Sequence, residues 1–178
     1  MNYIAGQGDA AAATPPPEPA SWRPGADQAC FLCRAAANFA DDAAARRAQL
    51  VVARGQHALA MLNRFPYNNG HLLVSPLRHV ADLAELTADE QLEAMSMLAR
   101  LTSLHRQLHQ AEGFNIGLNL GRAAGAGVPG HLHWHLVPRW AGDNNFMPVA
   151  AATRVISQSL ESMWDTLERA LDGSGNIR

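Results

Sequence analysis

The 178-residue chain has only two cysteines, Cys30 and Cys33. That excludes a disulfide framework, and a chain of this length can bury a core without one. No apolar run approaches the ~18 residues that a membrane-spanning helix needs. The N-terminus lacks a basic stretch followed by an apolar one, the mark of a secretory signal, so the expected compartment is the reducing cytoplasm. Basic residues are not in excess: 14 stand against 16 acidic ones, for a formal net charge of -2 and a pI of 6.4. Neither a nucleic-acid duplex nor a membrane surface is therefore an expected partner. Internal repeats are absent as well. What remains, a chain with 48% apolar residues, fits one domain with a tail.

Residues 1–29 form an N-terminal arm or linker by composition. Proline fixes φ and removes backbone donors, and the run Thr14-Pro15-Pro16-Pro17-Glu18-Pro19 cannot fold alone. The domain is expected over 30–172, with a short tail at 173–178. Arg34 to Ala48 reads as a short helix or helical loop. Three strands follow, at Leu50 to Ala53, His57 to Asn63 and His71 to Ser75, the last stopped by Pro76. Short connections suit an antiparallel meander. Thr87 and Glu90 have capping-box spacing. Leu92, Met95, Leu98, Leu101, Leu104 and Leu108 then predict one apolar face of a long helix ended by Gly113. Phe114 to Leu120 and His131 to Val137 read as strands, the latter ended by Pro138. Val155 to Leu171 reads as a C-terminal helix. This order predicts an α+β fold with an antiparallel sheet of about five strands.

Three of the eight histidines fall at 131, 133 and 135. On a strand they share one face, about 7 Å apart, while Leu132, Trp134 and Leu136 enter the core. Gly121 to Gly130 is glycine-rich, and small side chains leave amides open to phosphate oxygens. A nucleophilic imidazole beside an anion cradle points to phosphoryl or nucleotidyl chemistry. Cys30 and Cys33 have a spacing that serves either a metal or a redox pair, and no βαβ context favours the redox one. His105 and His109 lack the glutamate of a His-Glu-x-x-His motif and read as solvated helix-face residues.

His131-Leu132-His133-Trp134-His135-Leu136-Val137 resembles the motif of the histidine triad nucleotide-binding proteins. Asn63 to Pro76 is similar to that family's nucleoside-binding hairpin, and Asn119-Leu120-Gly121 to its phosphate-side strand. Pro138-Arg139-Trp140 and Gly142 to Val149 resemble the branch with bacterial dinucleoside polyphosphate hydrolases and phosphorylases. The resemblance implies a histidine triad fold, dimerised, acting on a nucleotide such as diadenosine tetraphosphate. It implies that His133 is the nucleophile and His135 assists the leaving group. Asn63 would contact the ribose, while Asn119 and the amides of Gly127 and Val128 would hold phosphate oxygens. His71 and Pro76 would be structural. One departure stands out: related phosphorylases place a serine near Gly127, and glycine has no hydroxyl.

The resemblance also implies a zinc site at Cys30, Cys33, His79 and His131. Two thiolates and two imidazoles fill a tetrahedron, so the ion would be structural. A phosphoramidate or adenylyl-conjugate hydrolase would use the same His133 chemistry. A nucleotide-binding scaffold with incidental activity is the alternative from another class.

Overall fold

The computed structural model describes residues 17–143 and 158–173. Met1 to Ile4, the first half of the proline run and the Asn144 to Val149 part of the motif above lie outside those residues, as does the start of the expected C-terminal helix.

Two short helices come first, α1 (Phe31–Ala36) and α2 (Asp42–Gln49). Asp41 caps α2 by accepting the amide of Ala44 at 3.0 Å. The carbonyls at the end of α1 are met by arginine: Arg23 Nε donates to Ala36 O at 2.9 Å and Arg54 Nη1 to Ala37 O at 3.1 Å. Three antiparallel strands follow, β1 (Val51–Arg54), β2 (Ala58–Leu62) and β3 (Leu72–Pro76). Next come the long helix α3 (Ala88–His109), β4 (Gly113–Leu118), β5 (Trp134–Arg139) and α4 (Leu160–Gly173). The described strands make one five-stranded antiparallel sheet in the order β1-β2-β3-β5-β4. The expected α+β class and five-strand sheet are both present.

One sheet face carries Leu62, Leu72, Val74, Trp134 and Leu136, buried under α3 and α4. The other carries Leu59, Met61 and Leu73, covered by Cys30, Leu32 and Cys33 of the N-terminal segment. Alternation along the strands separates the two sets. Thr87 and Glu90 form the expected capping box at the start of α3.

Several expectations need correction. The buried face of α3 is Glu90, Ala94, Met97, Leu98, Leu101 and His105. Leu92 is 68% exposed, and Met95 and Leu108 also face outward. His105 is therefore not a solvated residue: it continues the Leu98–Leu101 stripe at helical spacing and is fully buried. Gly113 does not end the helix. Gln110 does, in the left-handed region at φ 52°, and Gly113 opens β4. Nor does Pro138 end β5, which runs to Arg139; pairing with β3 has already stopped at Leu72–Leu136, leaving β4 as its partner there.

Candidate active site

The triad is only partly on a strand. β5 starts at Trp134, where both neighbouring ladders begin, so His131, Leu132 and His133 lie just before it. Leu132 is held by one backbone bond, from its amide to Val80 O at 2.7 Å. His131 and His133 are buried, and His135 is half-buried in the first turn of the ladder.

His133 Nδ1 lies 2.8 Å from the carbonyl of His131. A carbonyl only accepts, so Nδ1 carries the proton and Nε2 of the neutral ring keeps its lone pair. The state of His135 follows from a longer chain. The amide of Tyr67 donates to His71 Nδ1 at 3.0 Å. The neutral His71 ring then has its proton on Nε2, which faces His135 Nδ1 at 3.0 Å. His135 consequently presents an Nε2–H. Burial, then His133, lowers the pKa of His135 and favours this neutral form. The rings of His133 and His135 meet edge to face, 5.1 Å apart. A lone pair and an N–H thus sit on adjacent imidazoles.

The expected binding residues surround this pair unevenly. Asn63 Oδ1 accepts the amide of Phe65 at 3.0 Å, and its Nδ2 is 3.4 Å from His71 Nδ1. The hairpin therefore joins Asn63 to the triad. Asn119 follows β4 and makes no side-chain hydrogen bond with the described residues. Gly127 is exposed and Val128 half-buried, on the loop that leads into His131 through a bond from its amide to Val128 O.

Cys30, Cys33, His79 and His131 come together although Cys30 and His131 are 101 residues apart in sequence. Their ligand atoms all lie within 4.8 Å of one another. Cys33 Sγ is 3.1 Å from His79 Nδ1 and 3.5 Å from His131 Nδ1, and Cys30 Sγ is 3.4 Å from the latter. The donor set fits a metal ion for three reasons. His131 Nε2 donates to Pro76 O at 3.0 Å, which turns the Nδ1 lone pair toward the thiols. Burial pushes the Cys33 thiol up to about 11 and His131 down to about 4, so the imidazole is a free base, while thiolates need a cation to persist. Gly130 leaves room for His79, since an added Cβ would lie 3.1 Å from its Nε2.

Two further groupings were not visible in the sequence. Asp143 gathers Arg139, Trp140 and Asn68 into one network. His105 Nδ1 lies 3.0 Å from His109 Nδ1, and both Nε2 atoms are buried without a hydrogen-bond partner among the described residues. Both groupings depend on which helix face and which loop meet, and no short motif records that.

A HIT domain model matches residues 45–142. The AP-4-A phosphorylase of Mycobacterium tuberculosis is 46% identical over 111 residues, which is 62% of this chain and 57% of that protein. The match thus spans little more than half of that relative's length. An uncharacterised 16.1 kDa HIT-like protein of Mycoplasma pneumoniae is 35% identical over 122 residues, 68% of this chain and 82% of the relative. Among solved structures, a Zn-bound histidine triad family protein from Mycobacterium smegmatis superposes with a TM-score of 0.58 at 27% identity, covering 70% of this chain and 85% of that one.

Proposed function

The chain belongs to the HIT domain family, and from that membership we propose that it cleaves dinucleoside polyphosphates through a nucleotidyl-His133 intermediate, with diadenosine tetraphosphate the first substrate to test. The observation that carries this reading is the carbonyl of His131 on His133 Nδ1, which leaves Nε2 as a nucleophile beside the N–H of His135. The relative named AP-4-A phosphorylase supports the substrate class.

In the first step His133 Nε2 attacks the α-phosphorus. A P–N bond forms and the bond to the bridging oxygen breaks. The Nε2–H of His135 hydrogen-bonds to that oxygen as negative charge builds on it, and adenosine triphosphate departs as the anion. Asn63 would hold the ribose; Asn119 and the amides of Gly127 and Val128 would hold the non-bridging oxygens, where each donor is worth about 3 kcal/mol in the transition state. In the second step an incoming oxygen attacks the phosphorus, the P–N bond breaks with its electron pair returning to His133 Nε2, and any proton on that oxygen is released to solvent. With phosphate the product is adenosine diphosphate; with water it is the monophosphate. The relative's name favours phosphate, whereas Gly127, which has no hydroxyl, favours water. A phosphoramidate hydrolase and a nucleotide-binding scaffold remain as alternatives.

Zinc is the proposed occupant of the Cys30, Cys33, His79 and His131 cluster. Four sulfur and nitrogen donors leave such an ion no open position, so it would fasten α1 to the sheet and stabilise the thiolates. The proposal includes a cytoplasmic homodimer, for which exposed Leu92, Met95, Ile116 and Leu120 offer apolar surface.

The test is a product assay on diadenosine tetraphosphate with and without inorganic phosphate. Adenosine diphosphate only when phosphate is present indicates phosphorolysis, and monophosphate indicates hydrolysis. Replacing His133→Asn should lower turnover by about 10³-fold or more while nucleotide binding persists. Wild-type turnover in that variant would falsify the mechanism. Saturable binding with no turnover of any nucleotide or phosphoramidate would favour the scaffold.

A further inference from the structure

In the reaction just described, His135 donates a hydrogen bond to the leaving oxygen, so the placing of its ring and of the Nε2 proton matters. Resting on that reading, we propose that Asp143 is a positioning residue for His135, acting through the hairpin loop 63–71 and touching no substrate. Four donors converge on its carboxylate. Arg139 donates through Nε and Nη2, each at 2.6 Å, the amide of Trp140 at 3.1 Å and Asn68 Nδ2 at 3.0 Å. Arg139 and Trp140 belong to the end of β5 and the residue after it. Asn68 comes from the hairpin loop, and it also donates to Pro138 O at 3.2 Å. The carboxylate therefore fastens that loop to the end of the strand that bears His135. Arg139 holds Asp143 ionised, with its pKa lowered to about 2, so the fastening persists throughout the neutral range.

The fastened residue sits next to the groups that set His135. Tyr67 precedes Asn68, and its amide is the fixed donor of the chain through His71 to His135. The Tyr67 ring lies 5.7 Å from the His135 ring at an interplanar angle of 20°, and 4.7 Å from that of His71. Asn68 O in turn accepts the amide of His71 at 3.2 Å. Tyr67 is 47% exposed, so burial of its ring restrains the loop only weakly. A multiply bonded carboxylate is the stronger restraint. Without it the Tyr67 amide drifts from His71 Nδ1, and both imidazoles can exchange tautomers.

The experiment uses the full chain labelled with ¹⁵N-histidine. The wild-type spectrum should show His135 as an Nε2–H tautomer. Asn68→Ala and Asp143→Ala should each convert that signal to an averaged mixture. Both should lower kcat on diadenosine tetraphosphate about ten- to hundred-fold, with KM moving less than about three-fold. The double variant should lose less than the two single losses combined, because both remove the Asn68–Asp143 contact. Thr87→Ala, which loosens α3 away from the loop, controls for general loss of stability and should leave the His135 signal unchanged. Should Asp143→Ala not fold, Asn68→Ala, which removes the bonds to Asp143 and to Pro138 O together, decides whether fastening the loop positions His135. An unchanged His135 signal in the folded variants overturns the proposal whatever their activity. A changed signal with wild-type kcat also overturns it. If the wild-type protein cleaves no dinucleoside polyphosphate, the functional reading fails, and the tautomer comparison alone decides the positioning: a changed signal supports it and an unchanged one ends it.

Discussion

Gly70 has a φ of +71°, and a Cβ added there would lie 2.6 Å from His105 Cε1. The backbone conformation and the close approach both require glycine. Gly70→Ala should destabilise the protein by about 1–3 kcal/mol in chemical denaturation. Because the next residue is His71, the variant should lose activity before it loses its fold; equal stability to wild type would remove the steric account. The sequence makes Gly70 legible as part of a turn, through Pro66, Asn68 and Asn69 around it, but not as the floor under a buried imidazole. The alternation of histidines singled out His133 as a candidate, whereas Cys30, Cys33, His79 and His131 were joined only by the family resemblance, since no short pattern spans the 101 residues from Cys30 to His131. The contact of Tyr67 with His135 was not legible, since an aromatic residue in a turn has no fixed direction in sequence.

At the scale of the element, α3 shows both outcomes. Its start was readable from Thr87 and Glu90, since capping depends on residues three apart. Its buried face was not, because leucine occurs on both sides and Glu90 and His105 lie inside. Those two buried polar groups shape the response to acid. Burial, and then neighbouring His109, lowers the pKa of His105 to about 3 from an ordinary 6.5. Between those values the unfolded chain takes up a proton that the folded chain refuses. Stability therefore falls as the pH drops from about 6.5 to about 3, at up to about 1.4 kcal/mol per pH unit. Glu90 acts lower down. Arg78 donates to both its oxygens, at 2.7 and 2.8 Å, and lowers its pKa from 4.5 to about 2. That contribution is complete above about 4.5 and lost toward about 2. Denaturation measured in steps of pH should show a shallower upper limb for His105→Leu and a shallower lower limb for Glu90→Gln. Limbs parallel to wild type would mean that these groups do not titrate as their surroundings dictate.

Across the whole molecule, the strand sequence was readable and the strand order was not. β5 enters between β3 and β4, a long-range choice that local periodicity does not encode. The Cys/His cluster brings the start of α1 to the approach to β5, so removing the zinc proposed there should be felt globally. Purified protein should carry about one equivalent of zinc, and a chelator should lower the thermal midpoint by about 5 °C or more. Cys30 and Cys33 should react with an alkylating reagent only after that treatment. Correctly folded protein with less than about a tenth of an equivalent, and a midpoint indifferent to the chelator, would remove the metal from its architecture.

The separation of 101 residues between Cys30 and His131 also has a consequence during synthesis. Cys33 is synthesised 46 residues ahead of His79 and Cys30 101 residues ahead of His131, so the full ligand set exists only late in elongation. Through most of elongation the two thiols are unsheltered, open to cellular oxidants and to stray soft cations. The nascent chain must keep them reduced until its last strand emerges.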